Sequence, residues 1–100
     1  MLKQNYINSD ISVIIPAFNY LDSFNKVIKK VIQQTIKPLE IIIIDSSSSD
    51  IIKNALAKYD RLDNIIYRKV DRSYPGKARN IGSKIAKGKI LAFIDSKTVP

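Results

Sequence analysis

Residues 39–50, LEIIIIDSSSSD, place four consecutive isoleucines between a glutamate and an aspartate and follow them with four serines. The apolar run is too short for an ordinary helix, and it lacks the polar alternation of a strand with one wet face. It therefore predicts a β-strand covered on both sides. Asp45 ends that strand, where an unpaired carboxylate is costly to bury, so the sequence demands a partner for it. Two readings fit: Asp45 accepts bonds from the serine loop it starts, or it meets a ligand. Asp50, last in the stretch, reads as a plain helix cap.

Working outward, three further runs rich in β-branched residues occur at 11–15, 65–70 and 90–94. The first and last are again nearly continuous and predict strands covered on both faces; the third carries Arg68 and Lys69 and belongs at an edge. Between the runs the period changes. Leu21, Phe24, Val27, Ile28, Val31 and Ile32 recur at three- and four-residue steps, an amphipathic helix that Lys37-Pro38 ends. Ile51, Ile52, Ala55, Leu56 and Tyr59 mark a second helix, and Ala78, Ile81, Gly82 and Ile85 a third, entered after Pro75-Gly76 and left through Gly88. The order β-α-β-α-β-α-β predicts an α/β fold with an open, mainly parallel, twisted sheet of Rossmann-like βα repeats. Ligands of such sheets bind beyond the carboxyl ends of the strands. The segments to inspect are residues 16–19, 45–50, 71–79 and 95–97.

Composition narrows the chemistry. One hundred residues, 45% of them apolar, suit one small folded domain. Seventeen Lys and Arg against nine acids give a net charge of +8, a field that draws polyanions. No Cys and no His are present, so soft metal-ligand sets and thiolate chemistry are excluded, and any metal takes oxygen ligands. The opening MLKQNYINSD lacks the apolar core of a signal peptide, and no apolar run approaches the ~20 residues that span a bilayer. A cytoplasmic chain is expected, with peripheral attachment at the inner membrane face as a further option.

The first edge reads Pro16-Ala17-Phe18-Asn19. Pro16 removes a donor where a glycine-rich dinucleotide turn needs close backbone approach, which removes the support for a nicotinamide site. Phe18 offers a flat face to a nucleobase or fills the core, and Asn19 caps the next helix. The third edge, DRSYPGKARN, sets Lys77 and Arg79 near a helix start, suited to a phosphate; a solvated basic turn is the plainer reading.

Taken together, VIIPAFN, EIIIIDSSSSD, GKARNIG and AKGKILAFID make the chain resemble the donor-binding half of family 2 glycosyltransferases, which have the GT-A fold. The resemblance runs from Ile11 to Pro100, with residues 1–10 as an N-terminal extension. It implies transfer of a sugar from a nucleotide-diphosphate donor to an acceptor hydroxyl, with inversion, in the assembly of cell-envelope polysaccharide. Carried over by position, Pro16, Ala17 and Phe18 line the nucleoside pocket, Asp45 or Ser46 bonds the base, and Arg79 faces the diphosphate. The family's metal-binding Asp-x-Asp is here Asp95-Ser96-Lys97. The resemblance thus implies Mn²⁺ or Mg²⁺ on Asp95, with the second acid replaced by Lys97. Two readings of Lys97 fit: it supplies a fixed positive charge where the cation usually stands, or the site has decayed and Lys97 is a surface residue. Its implied partners are a nucleotide-diphosphate sugar and an acceptor glycan or lipid-linked sugar, not nucleic acid.

The catalytic base is expected beyond Pro100, since Asp10, Asp22, Asp60 and Asp63 lie outside the strand edges. The expectation is an enzyme's donor half, truncated before the acceptor half and inactive alone. The alternatives are a non-catalytic nucleotide-sugar-binding module or degraded copy, and a basic α/β domain binding nucleic acid. The last is disfavoured because its cations are scattered and no aromatics interleave with them. An exposed sheet edge makes self-association a further expectation.

Overall fold

The computed structural model describes residues 7–34, 36–59, 62–71 and 75–94. In chain order the elements are β1 (Ile7–Asn8), β2 (Ile11–Ala17), α1 (Leu21–Gln33), β3 (Ile36–Lys37), β4 (Glu40–Asp45), α2 (Ile51–Ala55) running into a 3₁₀ turn (Leu56–Tyr59), β5 (Ile65–Lys69), α3 (Pro75–Ile85) and β6 (Ile90–Phe93). Four strands form one all-parallel sheet in the order β5-β4-β2-β6. This is the α/β architecture expected from the sequence.

Two-residue alternation along the strands sorts the core into two layers. Val13, Ile15 and Ala17 with Ile41 and Ile43 face Phe24, Ile28 and Val31 of α1 and Ile52 of α2. Ile14, Ile42 and Ile44 face Ala78 of α3 on the other side. Both layers need β4, which is buried at all six positions. At about 1.5–3 kcal/mol for each isoleucine fully removed from water, this strand contributes strongly to stability. Gly82 lets α3 lie close: a Cβ there would stand 2.5 Å from the Ile14 methyl Cγ2.

A buried polar hub closes the amino end of the sheet. Ser12 and Glu40 are register partners on β2 and β4. The Ser12 hydroxyl donates to Glu40 Oε2 at 2.7 Å, the Lys87 amide donates to the same oxygen at 2.5 Å, and the Gly88 amide donates to Ser12 Oγ at 2.8 Å. Only a glycine fits at 88, because a Cβ would lie 2.4 Å from the Asp10 carbonyl oxygen.

The structure corrects several expectations. The last apolar run, expected to be covered on both faces, forms edge strand β6, and Ile90, Leu91 and Phe93 are 57%, 37% and 46% exposed. The reason is that α3 crosses over β2 and β4 rather than over β6. Helix α1 ends at Gln33, before Lys37-Pro38, with Gln34 extended. Pro38 holds the residue before it out of the helical region, and Lys37 is accordingly extended, pairing in β3 with Asn8 of β1 in a small parallel ladder. Ile51 is exposed rather than core. Strand β5 is at an edge, as its charges require.

Candidate nucleotide-binding cleft

At the carboxyl end of the sheet the segments after β2, β4 and β5 converge. Asn19 sits at φ 58°, in the left-handed region that asparagine enters more readily than most residues. That turn directs its amide to Ser47 Oγ at 2.8 Å, while its side-chain Oδ1 accepts from the Ser48 amide at 3.1 Å and the Ser48 hydroxyl at 3.4 Å. Asn19 therefore ties β2 to the loop after β4 instead of capping α1. Tyr20 holds the cap position, and no side chain caps it. Asp50 likewise makes no capping bond; Ser49 Oγ accepts the Ile51 amide at 3.3 Å, and the Asp50 carboxylate stands 3.8 Å from Lys69 Nζ.

Asp45 is fully buried beneath this loop. Its Oδ1 accepts the Ser47 amide at 2.9 Å, and its Oδ2 accepts the Tyr67 hydroxyl at 2.6 Å with Lys69 Nζ 3.9 Å away. Burial, then the bond to Asp45, then the charges of Asp45 and Asp50 raise the Tyr67 phenol well above its ordinary value, so it stays protonated and donates. Lys69 in turn donates to the Ser49 carbonyl at 2.7 Å.

Above this floor opens a cleft of about 710 Å³. Phe18 and Asn19 form one wall, Ser46, Ser47 and Ser48 a second, and Lys69, Val70 and Asp71 the third. Phe18 is half-buried, with its ring edge-on to Tyr20 at 6.4 Å between centroids.

The residues singled out in the sequence are thus distributed unequally. Phe18 and Ser46 line the cleft, and Asp45 lies under it. Pro16 and Ala17 stand behind it on β2. Ala17 is core, and its carbonyl takes the Ser46 amide at 2.9 Å. Arg79 is half-buried on α3, away from the cleft walls. Asp95 and Lys97, and with them the metal assignment, lie outside the described residues. Among the described residues no group of three or more acids could hold a metal ion, and no helix is long and apolar enough to cross a membrane. Of the third edge, Asp71 lines the cleft above Asp45, and Ala78 packs on Ile14, the register partner of Phe93 at the end of β6. Sequence reasoning missed Tyr67 and Lys69 as parts of the site, whereas Asp71 opens the third segment singled out beyond the strand ends. The available signal was parity: Tyr67 and Lys69 are register partners of Ile43 and Asp45, on the same face.

The profile of Glycosyl transferase family 2 matches residues 12–99. An uncharacterized glycosyltransferase of Rickettsia conorii is 42% identical over 98 residues, covering 96% of this chain and 16% of the relative. UDP-Glc:alpha-D-GlcNAc-diphosphoundecaprenol beta-1,3-glucosyltransferase of Escherichia coli is 36% identical over 86 residues, covering 86% of this chain and 34% of the relative. Among solved structures, a mannosyltransferase from Pyrobaculum calidifontis in complex with GDP-Man and Mn²⁺ superposes with a TM-score of 0.73 over 89% of this chain and 28% of that one; at 19% identity this is a likeness of fold. The chain thus spans 16% and 34% of the lengths of these two curated relatives.

Proposed function

Because this chain belongs to glycosyl transferase family 2, we propose that it forms the donor-binding side of an enzyme that moves a sugar from a nucleotide-diphosphate donor to an acceptor hydroxyl, with inversion. The observation that carries the reading is the convergence of three carboxyl-end segments on one cleft, with an aromatic face on one wall and hydroxyls, amides and a cation on the others. The nucleoside enters between Phe18 and the serine loop, stacking on the ring. The diphosphate extends toward the start of α3, where the helix dipole, Lys77 and Arg79 favour negative charge.

Asp95 is the proposed ligand for Mn²⁺ or Mg²⁺, which when bound neutralises charge on the leaving diphosphate, and Lys97 adds a fixed positive charge beside it. The carboxylate that deprotonates the acceptor is proposed to lie outside these 100 residues. By analogy with the E. coli relative, the acceptor is a glycan or lipid-linked sugar, met by a chain attached peripherally at the inner membrane face, and nucleic acid is not a ligand.

Calorimetric titration with UDP, GDP, CDP and ADP, in Mn²⁺ and in chelator, tests the reading. At least one nucleotide should bind, and Phe18→Ala should weaken it by about tenfold or more, given ~1–3 kcal/mol for base stacking on an aromatic. If none of the four binds in either condition, the donor-site reading fails.

A further inference from the structure

By position, Asp45 is a natural candidate to touch the base, yet its side chain has no exposure and both its oxygens already accept hydrogen bonds from within the fold. We infer that Asp45 and Tyr67 are a positioning pair, which acts on the nucleotide through the serine loop and Asn19 rather than by touching the base. The inference rests on the donor-site reading above and assigns a role within it.

The bonds form a continuous path. Tyr67 of β5 donates to Asp45 Oδ2 at 2.6 Å, and Asp45 Oδ1 fixes the Ser47 amide at 2.9 Å. Ser47 Oγ then fixes the Asn19 amide at 2.8 Å, and Asn19 Oδ1 holds the Ser48 amide at 3.1 Å. The path passes through Asn19, one residue from Phe18, and ends at Ser48. Three cleft walls therefore take their relative position from one buried carboxylate, whose geometry Tyr67 sets. A carboxylate with two acceptor oxygens and no donor cannot swing up to a ligand without breaking its bonds to the half-buried Tyr67 hydroxyl and the buried Ser47 amide, a costly exchange. Bonding to the base edge falls instead to groups on the cleft surface: Ser46, Ser48 and Asp71, whose carboxylate has no side-chain partner among the described residues.

The two roles predict different base preferences. Uracil and guanine present a ring N–H, which a carboxylate accepts and a carboxamide nitrogen repels, whereas cytosine presents a ring acceptor. The test titrates UDP, GDP and CDP into the 100-residue chain, Asp45→Asn, Tyr67→Phe and the double variant, at a temperature where circular dichroism shows each folded. A positioning pair weakens all three nucleotides by a common factor, with their affinity ratios kept within about threefold. The double variant then loses less than the product of the single losses, because the two residues act as a unit.

Asp45→Asn shifting the CDP to UDP or CDP to GDP ratio by about tenfold or more would mean direct base contact and overturn the inference. So would Tyr67→Phe binding every nucleotide as the unaltered chain does. Tyr67→Phe keeps the ring and its packing, so it decides the matter even if Asp45→Asn does not fold. A merely structural pair lowers the denaturation midpoint with no coupling between the two losses in affinity, and that outcome also overturns the inference. If the unaltered chain binds none of the three, the donor-site reading falls and this inference with it.

Discussion

The two ends of β4 carry the same device with opposite results. Glu40 and Asp45 lie five residues apart on one strand, both are buried, and each is held by one hydroxyl and one backbone amide. At the amino end the donors come from Ser12 and the turn at Lys87-Gly88, and that turn lies so close to the Asp10 carbonyl that no side chain fits. At the carboxyl end they come from Tyr67 and a loop of small serines, held off by Asn19. A buried strand-end carboxylate is thus a hub for loops, and the bulk and path of those loops decide whether it seals the sheet or props open a cleft.

Substitutions at the two hubs test that contrast most strongly. Glu40→Ala and Asp45→Ala each take the acceptor from one buried and one part-buried donor, and each should lower unfolding free energy by about 2 kcal/mol in urea titration. Only Asp45→Ala should also weaken nucleotide binding by the folded fraction; equal effects on binding would erase the distinction. Gly88→Ala should cost about 2 kcal/mol by overpacking against Asp10, again without touching affinity. Asn19→Ala should cost ~1–2 kcal/mol, since alanine resists the left-handed region. Asn19→Gly should recover much of that stability while binding stays weak, because the bonds to Ser48 are still missing.

Tyr67 offers a pH test. Its phenol is raised in the folded chain, so the stability it contributes is present below the ordinary tyrosine range and is lost as pH rises through the raised value. In ultraviolet titration it should ionise above its ordinary value, and Asp45→Ala should bring it down part of the way. Smallest of all, Asp50→Ala should change stability by less than about 0.5 kcal/mol, because its pairing with Lys69 is solvent-exposed.

The layered fold was legible because hydrophobic period is a local signal. Four apolar runs gave the strands, and the Arg68 and Lys69 charges gave the edge position of β5. The edge position of β6 was not, since composition shows that a strand is apolar but not which helix crosses it. Within the site, Phe18, Asp45 and Ser46 were visible from their place after a strand. Tyr67 was hidden because its role depends on β5 pairing in register with β4, a long-range fact. Asn19 was seen as a cap because Asn at a helix start has that meaning far more often than the left-handed tie it makes.

The closure at the amino end also bears on how the chain folds. The bond from Gly88 to Ser12 joins residues 76 apart, so its loop-closure entropy is met only when α3 and β6 have docked. Until then Ser12 and Glu40 lack the amides that complete their bonding, and a partly folded sheet of β2, β4 and β5 alone carries an under-satisfied carboxylate in its core. The clasp thus penalises intermediates that stop short of β6 and makes folding of the sheet more nearly all-or-none.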